Sequence, residues 1–348
     1  MAFEIGIMTF GEITEDPTTG VVRTPHQRAR ETIELARVAD EVGLDVFGMG
    51  EHHRSDFVGS APTIVLAAAA EATKQIRLAS AVTVLSSDDP VRVWEQFATI
   101  DLISAGRAEI IAGRGSYTES FPLFGYDLAD YSELFREKLD LLLRIREQNP
   151  LTWKGRMRPP LINADIAPRP YADTIPIWVG AGGSPASAVN AGTLGVPLAL
   201  AILFGPMSML TDAAELYRAA AERSGHDPAS LPISMSVGGY VGSSPKQARD
   251  IMYPHFAQFM MEHNHQRGRG MLLPRDAFEA GASPAGSYVV GDADEVAEKI
   301  LRFREMYGLT RIIIQIGMGS MPQKDLLGGV ERLGTEVATA VRRELGDE

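Results

Sequence analysis

Short apolar runs recur eight times along the chain, at 3–10, 44–49, 76–85, 108–112, 175–179, 196–203, 231–241 and 311–316. Stretches with helical periodicity separate them. The runs lack the clean alternation of a half-exposed sheet, so they read as parallel strands covered on both faces. Parallel strands joined by helices make either an open doubly wound sheet or a closed cylinder. Eight units in 348 residues favour one (β/α)8 TIM barrel spanning 1–348, with its chemistry at the C-terminal ends of the strands.

The helices announce their own ends. Thr24-Pro25-His26-Gln27 reads as a capping box with proline at the first helical position, followed by Leu35, Val38, Ala39 and Val42 on one face. Asp89-Pro90 opens another helix, striped by Val93, Phe97 and Ile100, and Gly106 ends it. Phe135, Leu139, Leu142 and Ile145 share a face further on. Two stretches break the rhythm. Residues 114–130 form a loop rich in glycine and aromatics. Residues 263–290 carry Gly, Pro and Arg between the seventh and eighth strands and are expected to be a lid insertion.

Composition narrows the chemistry. Cysteine is absent, which removes disulfides, thiolate metal sites and cysteine nucleophiles. The 33 basic and 45 acidic residues give a formal charge of −12, which repels phosphate backbones and anionic lipid. The longest apolar stretch, 196–204, contains Pro197 and is far short of the ~20 residues a membrane helix needs. The first residues, Met1-Ala2-Phe3-Glu4-Ile5-Gly6, show no basic segment followed by an apolar one. A cytoplasmic protein without nucleic-acid or membrane partners is expected.

The barrel rule selects the residues to weigh. They are Met8-Thr9-Phe10, Glu51-His52-His53, Ala81-Val82-Thr83, Gly113-Arg114-Gly115, Gly180 to Ser184, and Gln315-Ile316-Gly317. While extended geometry lasts, at most one of His52 and His53 can aim into the mouth. An imidazole there could serve as acid or base, or simply cap a strand end. Arg114 between two glycines could pair with phosphate or bridge neighbouring loops. Gly180-Ala181-Gly182-Gly183-Ser184-Pro185 opens a helix with exposed N–H groups, which suits an anion. It lacks the third glycine and the later acidic residue of a dinucleotide fingerprint. No set of strand-end ligands suggests a metal site, and His263-Asn264-His265 reads as a solvated helix end.

Together, Gly50-Glu51-His52-His53-Arg54, Leu78 to Leu85, Asp89-Pro90-Val91-Arg92, Gly106-Arg107, Gly113-Arg114-Gly115 and Pro176 to Pro185 resemble the bacterial luciferase-like flavin monooxygenases, in order along essentially the whole chain. The resemblance implies a barrel that binds reduced FMN supplied by a separate flavin reductase. O2 reacts at flavin C4a, and the peroxyflavin oxygenates an organic substrate. It assigns Arg114 to the phosphate, Gly182, Gly183 and Ser184 to the phosphate cradle, and Ala81-Val82 to a cis peptide against the flavin ring. His52 becomes the catalytic histidine. Family members dimerise through the Ala-rich helix near 61–70, so a homodimer is expected.

One position departs from the pattern. Luciferase alpha chains carry a reactive cysteine before the phosphate arginine, where this chain has Gly113, so thiol effects on activity are not expected. Light emission is not expected either, since most members with this pattern are ordinary oxygenases. Met8, Phe10, Tyr117 and Phe121, with Phe124 nearby, suggest a hydrophobic substrate pocket, or anchors for the loop that carries them. Two other readings remain open: a deazaflavin (F420)-dependent oxidoreductase of the same superfamily, and a non-catalytic flavin-binding subunit.

Overall fold

The computed structural model describes residues 2–115, 117–266 and 272–346 of the chain. Eight strands form the expected cylinder: β1 (Glu4–Thr9), β2 (Val46–Met49), β3 (Arg77–Ser80), β4 (Ala108–Gly113), β5 (Ile177–Ala181), β6 (Leu198–Ile202), β7 (Ile233–Val241) and β8 (Arg311–Gln315). Each pairs in parallel with the next. The ring closes where β1 meets β8, from Glu4 opposite Arg311 to Met8 opposite Gln315. The expected strand at 76–85 divides at the Ala81–Val82 peptide bond, which is cis. Beyond it Thr83–Val84 pairs with Ala112 and Gly113 of β4.

The helix signals hold at atomic detail. Thr24 and Gln27 form both halves of the capping box. Asp89 accepts a hydrogen bond from the Val91 N–H at 2.9 Å to start the helix Pro90–Ser104. Arg107, one of the motif residues, proves to be structural. Its guanidinium donates to the carbonyls of Ala70, Thr73 and Ile76, tying the end of the helix Pro62–Ala72 to the start of β3.

Two stretches differ from the sequence reading. Leu151–Trp153 and Leu161–Ala164 form an antiparallel hairpin outside the cylinder, held to the helix Tyr131–Glu147 by a Trp153 Nε1 bond to Asp140 at 2.9 Å. Strands of three and four residues carry too little alternation to stand out. The lid expected at 263–290 falls partly on 267–271, outside the described residues. The rest includes two regular elements. Arg275–Ala282 is a helix, and Val289–Gly291 adds a strand beside the end of β7. The buried Phe278 and Tyr288 pack against Phe256, with ring centroids 5.9 and 4.6 Å from it. Those aromatic anchors, not the Gly, Pro and Arg content, decide where the segment lies.

The cylinder is layered inside. Strand side chains alternate between the helices outside and the axis within. Ile5, Ile7, Phe47, Leu78, Ile110, Ile177 and Val179 join the outer core. Met8, Val46, Ala79, Ile111, Trp178, Ala199 and Ile313 fill the middle of the interior. The floor is ionic. Arg311, only 1% exposed, donates to both carboxylate oxygens of Glu109 at 2.6 and 3.0 Å and to Glu4 at 2.6 Å. Its guanidinium also lies 4.5 Å from the Trp178 ring centroid. Arg77 pairs with Glu4 and Glu109 and completes the network.

A buried charge stripped of its partner is expensive, so Glu109→Ala is expected to destabilise the fold by about 3–5 kcal/mol. Urea unfolding monitored by circular dichroism checks this, and Glu109→Gln is expected to cost less because it keeps one acceptor.

Candidate active site

At the C-terminal ends of the strands lies a cavity of about 340 Å³. Arg114, just past β4, stands at one end. Its Nη2 donates to the Ser187 hydroxyl at 3.1 Å, and its guanidinium lies 5.2 Å from the Tyr131 ring centroid. Tyr131 in turn donates its hydroxyl to the Gly115 carbonyl at 2.5 Å, fixing the loop on which Arg114 sits. Facing the arginine is the turn after β5. Ser184 is the cap residue of the helix Pro185–Leu194, yet its hydroxyl makes no bond to the helix backbone. A Cβ on Gly182 would meet nothing within 4 Å, and Gly183 adopts φ +102°, a conformation that favours glycine. An arginine braced by Ser187, the Ser184 hydroxyl and a helix N-terminus therefore converge on one space, which suits a doubly charged anion.

The other end carries imidazoles. His52 and His53 both line the cavity, against the expectation that at most one would. The strand ends at Met49, so strict alternation has stopped before either residue is reached. The His52 ring is clamped by Phe10, Phe57 and Tyr117, with centroids 4.7, 4.6 and 4.5 Å away. Its Nδ1 lies 3.1 Å from Glu119 Oε1. Burial pushes the Glu119 carboxyl up, but the hydrogen bond from His52, together with those from the backbone N–H groups of Glu119 and His53, holds the group below its ordinary value. His53 bonds through Nε2 to Glu51 Oε1 at 2.9 Å. That bond holds its ring above the ordinary histidine value in spite of burial. The second Glu51 oxygen accepts the Val84 N–H at 2.9 Å, so this carboxylate binds the loop after β2 to the segment past the cis peptide.

Between the two ends the wall is mostly apolar. Met8, Phe10, Ala81, Val82, Ile111, Tyr117 and Ile313 contribute. Gly113 leaves room for Val82, since a Cβ there would stand 2.5 Å from Val82 Cγ2. No thiol could occupy that position without moving the valine. Phe121 does not reach the cavity. It is fully buried against Tyr131, at 5.5 Å, and so anchors the loop. Phe124 is half exposed, with its ring edge on His53. Among the described residues no group of three or more His, Asp or Glu side chains gathers to hold a metal ion.

Three residues that brace the candidate site escaped the sequence reading. Ser187 sits in the first turn of its helix, where serine is ordinary. Glu51 belongs to a quoted motif but had no assigned partner. Glu119 lies in a loop without periodicity.

The family model for luciferase-like monooxygenases matches residues 3–310. The chain belongs to that family. A relative, the N-acetyl-S-alkylcysteine monooxygenase of Bacillus subtilis, is 30% identical over 329 residues, covering 90% of this chain and 94% of its own length. Two solved structures share the fold at 21% identity and TM-scores of 0.77. One is the oxygenating constituent of 3,6-diketocamphane monooxygenase from the CAM plasmid of Pseudomonas putida, in complex with FMN, covering 98% of this chain and 99% of that one. The other is an F420-dependent secondary alcohol dehydrogenase in complex with an F420–acetone adduct, covering 98% and 100%. Among the described residues, no helix of this luciferase-like chain is long and apolar enough to cross a membrane.

The loops around the mouth are tied by a buried acid. Glu12, after β1, accepts the Gly319 N–H at 2.5 Å after β8. Burial pushes its carboxyl up to about 8, although Gly319 and Arg28 pull the other way. Between its ordinary value of 4.5 and about 8, the folded chain holds a proton that the unfolded chain has lost. Stability therefore falls as pH rises through that window. Glu12→Gln is expected to flatten this part of the fall, as read from urea midpoints at pH 5, 7 and 9.

Proposed function

We propose that this protein is the oxygenase of a two-component system, taking reduced FMN from a separate flavin reductase and using O2 to oxygenate an apolar organic substrate. The observation that carries the reading is one cavity with an anion grip at one end and a clamped imidazole at the other. In it, Arg114, the Ser184 and Ser187 hydroxyls and the N–H groups at the start of the helix Pro185–Leu194 would hold the phosphate. Gly182 and Gly183 keep that cradle open. Ala81 and Val82 would flank the ring. Gln315 supports the fit: it lines the cavity, is 8% exposed, and its Nε2 has no hydrogen-bond partner. A buried donor left unpaired costs roughly 1–3 kcal/mol, and the carbonyl edge of a flavin would satisfy it.

When bound, reduced flavin supplies the electrons that activate O2. The chain's own residues do the rest. Met8, Phe10 and Tyr117 give the substrate an apolar wall that excludes water. His52, through the nitrogen not bonded to Glu119, holds or returns a proton beside the reacting groups. A cytoplasmic homodimer, joined through the Ala-rich helix Pro62–Ala72, completes the proposal. Exposed Ile64 on that helix gives an apolar contact for it.

The F420-dependent neighbour supports a second reading, in which the same cavity takes a deazaflavin and moves a hydride without O2. Fluorescence titration separates the two: FMN is expected to bind, and F420 is expected not to. Preference for F420 would reverse the assignment. The non-catalytic reading, in turn, leaves the His52 clamp without purpose.

Two variants test the site. Arg114→Ala is expected to weaken FMN far more than riboflavin, because only FMN carries the phosphate, whereas equal weakening would make the arginine structural. His52→Ala is expected to lower oxygenation across an aldehyde and sulfide panel by ~10²–10⁴. Its FMN affinity is expected to stay near wild type, and undiminished turnover would remove the catalytic role.

A further inference from the structure

The clamp around His52 leaves one question of chemistry: which ring nitrogen faces the cavity with a lone pair. The answer comes from the loop after β4. Tyr117 packs edge-on against the His52 ring, and two residues later Glu119 presents a carboxylate oxygen 3.1 Å from Nδ1. The His53 N–H also faces that carboxylate. The next residue, Ser120, is pinned by a 2.9 Å bond between its hydroxyl and that of Ser87. On the opposite side the His52 N–H donates to the Gly59 carbonyl at 3.2 Å, so backbone and ring are both held. Glu51 is engaged elsewhere, its two oxygens serving His53 and Val84. Arg54, stacked over Phe57 and Tyr117, is committed to Asp56.

We infer that Glu119 is a positioning residue for His52: it accepts the Nδ1–H and so reserves the Nε2 lone pair for the cavity. This rests on the flavin-monooxygenase reading of the cavity. An ionised carboxylate can only accept, so the tautomer with hydrogen on Nδ1 is the one it selects. When Nε2 takes a proton from a donor in the cavity, the Nδ1–H bond is kept, Glu119 stays ionised, and the imidazolium sits beside a full negative charge. Returning that proton from Nε2 restores the starting state with no net change in the pair. The loop that begins with Arg114 thus carries both the phosphate grip and the group that aims the histidine.

The test uses full-length Glu119→Gln, Glu119→Asp and His52→Ala. Nitrogen-15 NMR of the flavin-free protein, with the His52 signals assigned by their loss in His52→Ala, reports the tautomer directly. Wild type is expected to show hydrogen on Nδ1 alone, and Glu119→Gln a mixture. FMN affinity is expected to stay within about twofold in Glu119→Gln while kcat falls about 10–100-fold at unchanged KM, as when the carboxylate behind other working histidines is removed. Glu119→Asp is expected to recover part of the loss. In His52→Ala, carbon-13 NMR is expected to show the Glu119 carboxyl titrating higher than in wild type, because burial is then opposed only by backbone N–H groups.

A single Nδ1–H tautomer in Glu119→Gln together with kcat within twofold of wild type would overturn the inference. So would a fall in kcat matched by loss of FMN binding, which would place Glu119 in the flavin site. Failure of wild type to bind FMN, with the tautomer shift intact, would sink the flavin reading and leave the positioning contact standing.

Discussion

A single guanidinium closes the bottom of the cylinder. Arg311 opens β8 opposite Glu4 of β1, at the seam where the first and last strands meet, and reaches across the axis to Glu109 of β4. With Arg77 added, four strands are tied by charge around the buried Arg311–Glu109 pair. Such a network gains little net energy against an apolar plug, but it penalises any misalignment by leaving a bare charge. Strand register is thereby fixed from below, and the loops above inherit it.

Above that floor the interior changes from charged to apolar to open. Trp178 and Ile313 occupy the middle, and small residues such as Ala81, Gly113, Gly180 and Ala199 line the upper wall. Removing bulk on successive strands produces a cleft rather than a plug. The anion grip and the imidazoles stand at opposite ends because they follow different strands. Arg114 and Ser187 come after β4 and β5, and the histidines after β2.

Much of this was legible in the amino-acid order. Eight buried runs with capped helices between them have few folding solutions, and the Asp89 and Thr24 caps were readable residue by residue. The role of Arg107 was not readable, because most of its partners are backbone carbonyls that no side-chain pattern reveals. The ionic floor was hidden inside apolar strands: Glu109 and Arg311 count as interruptions until the cylinder brings them together. The same holds for Glu119 and His52, which lie 67 positions apart and meet only because two loops share a rim. Local periodicity shows which face of an element is covered. It does not show which loops converge.

The cradle and the imidazole clamp share more than a cavity. The guanidinium at 114, the ring at 117 and the carboxylate at 119 lie on one short span of backbone, braced at its base by the Tyr131 hydroxyl. On the proposed reading, lengthening or shortening that span by a single residue would disturb the phosphate grip and the aim of the histidine in one step. On the same reading, the turns after β6 and β7, which do not line the cavity, carry neither duty. They are the places where such a scaffold is free to acquire new tastes without forgetting its cofactor.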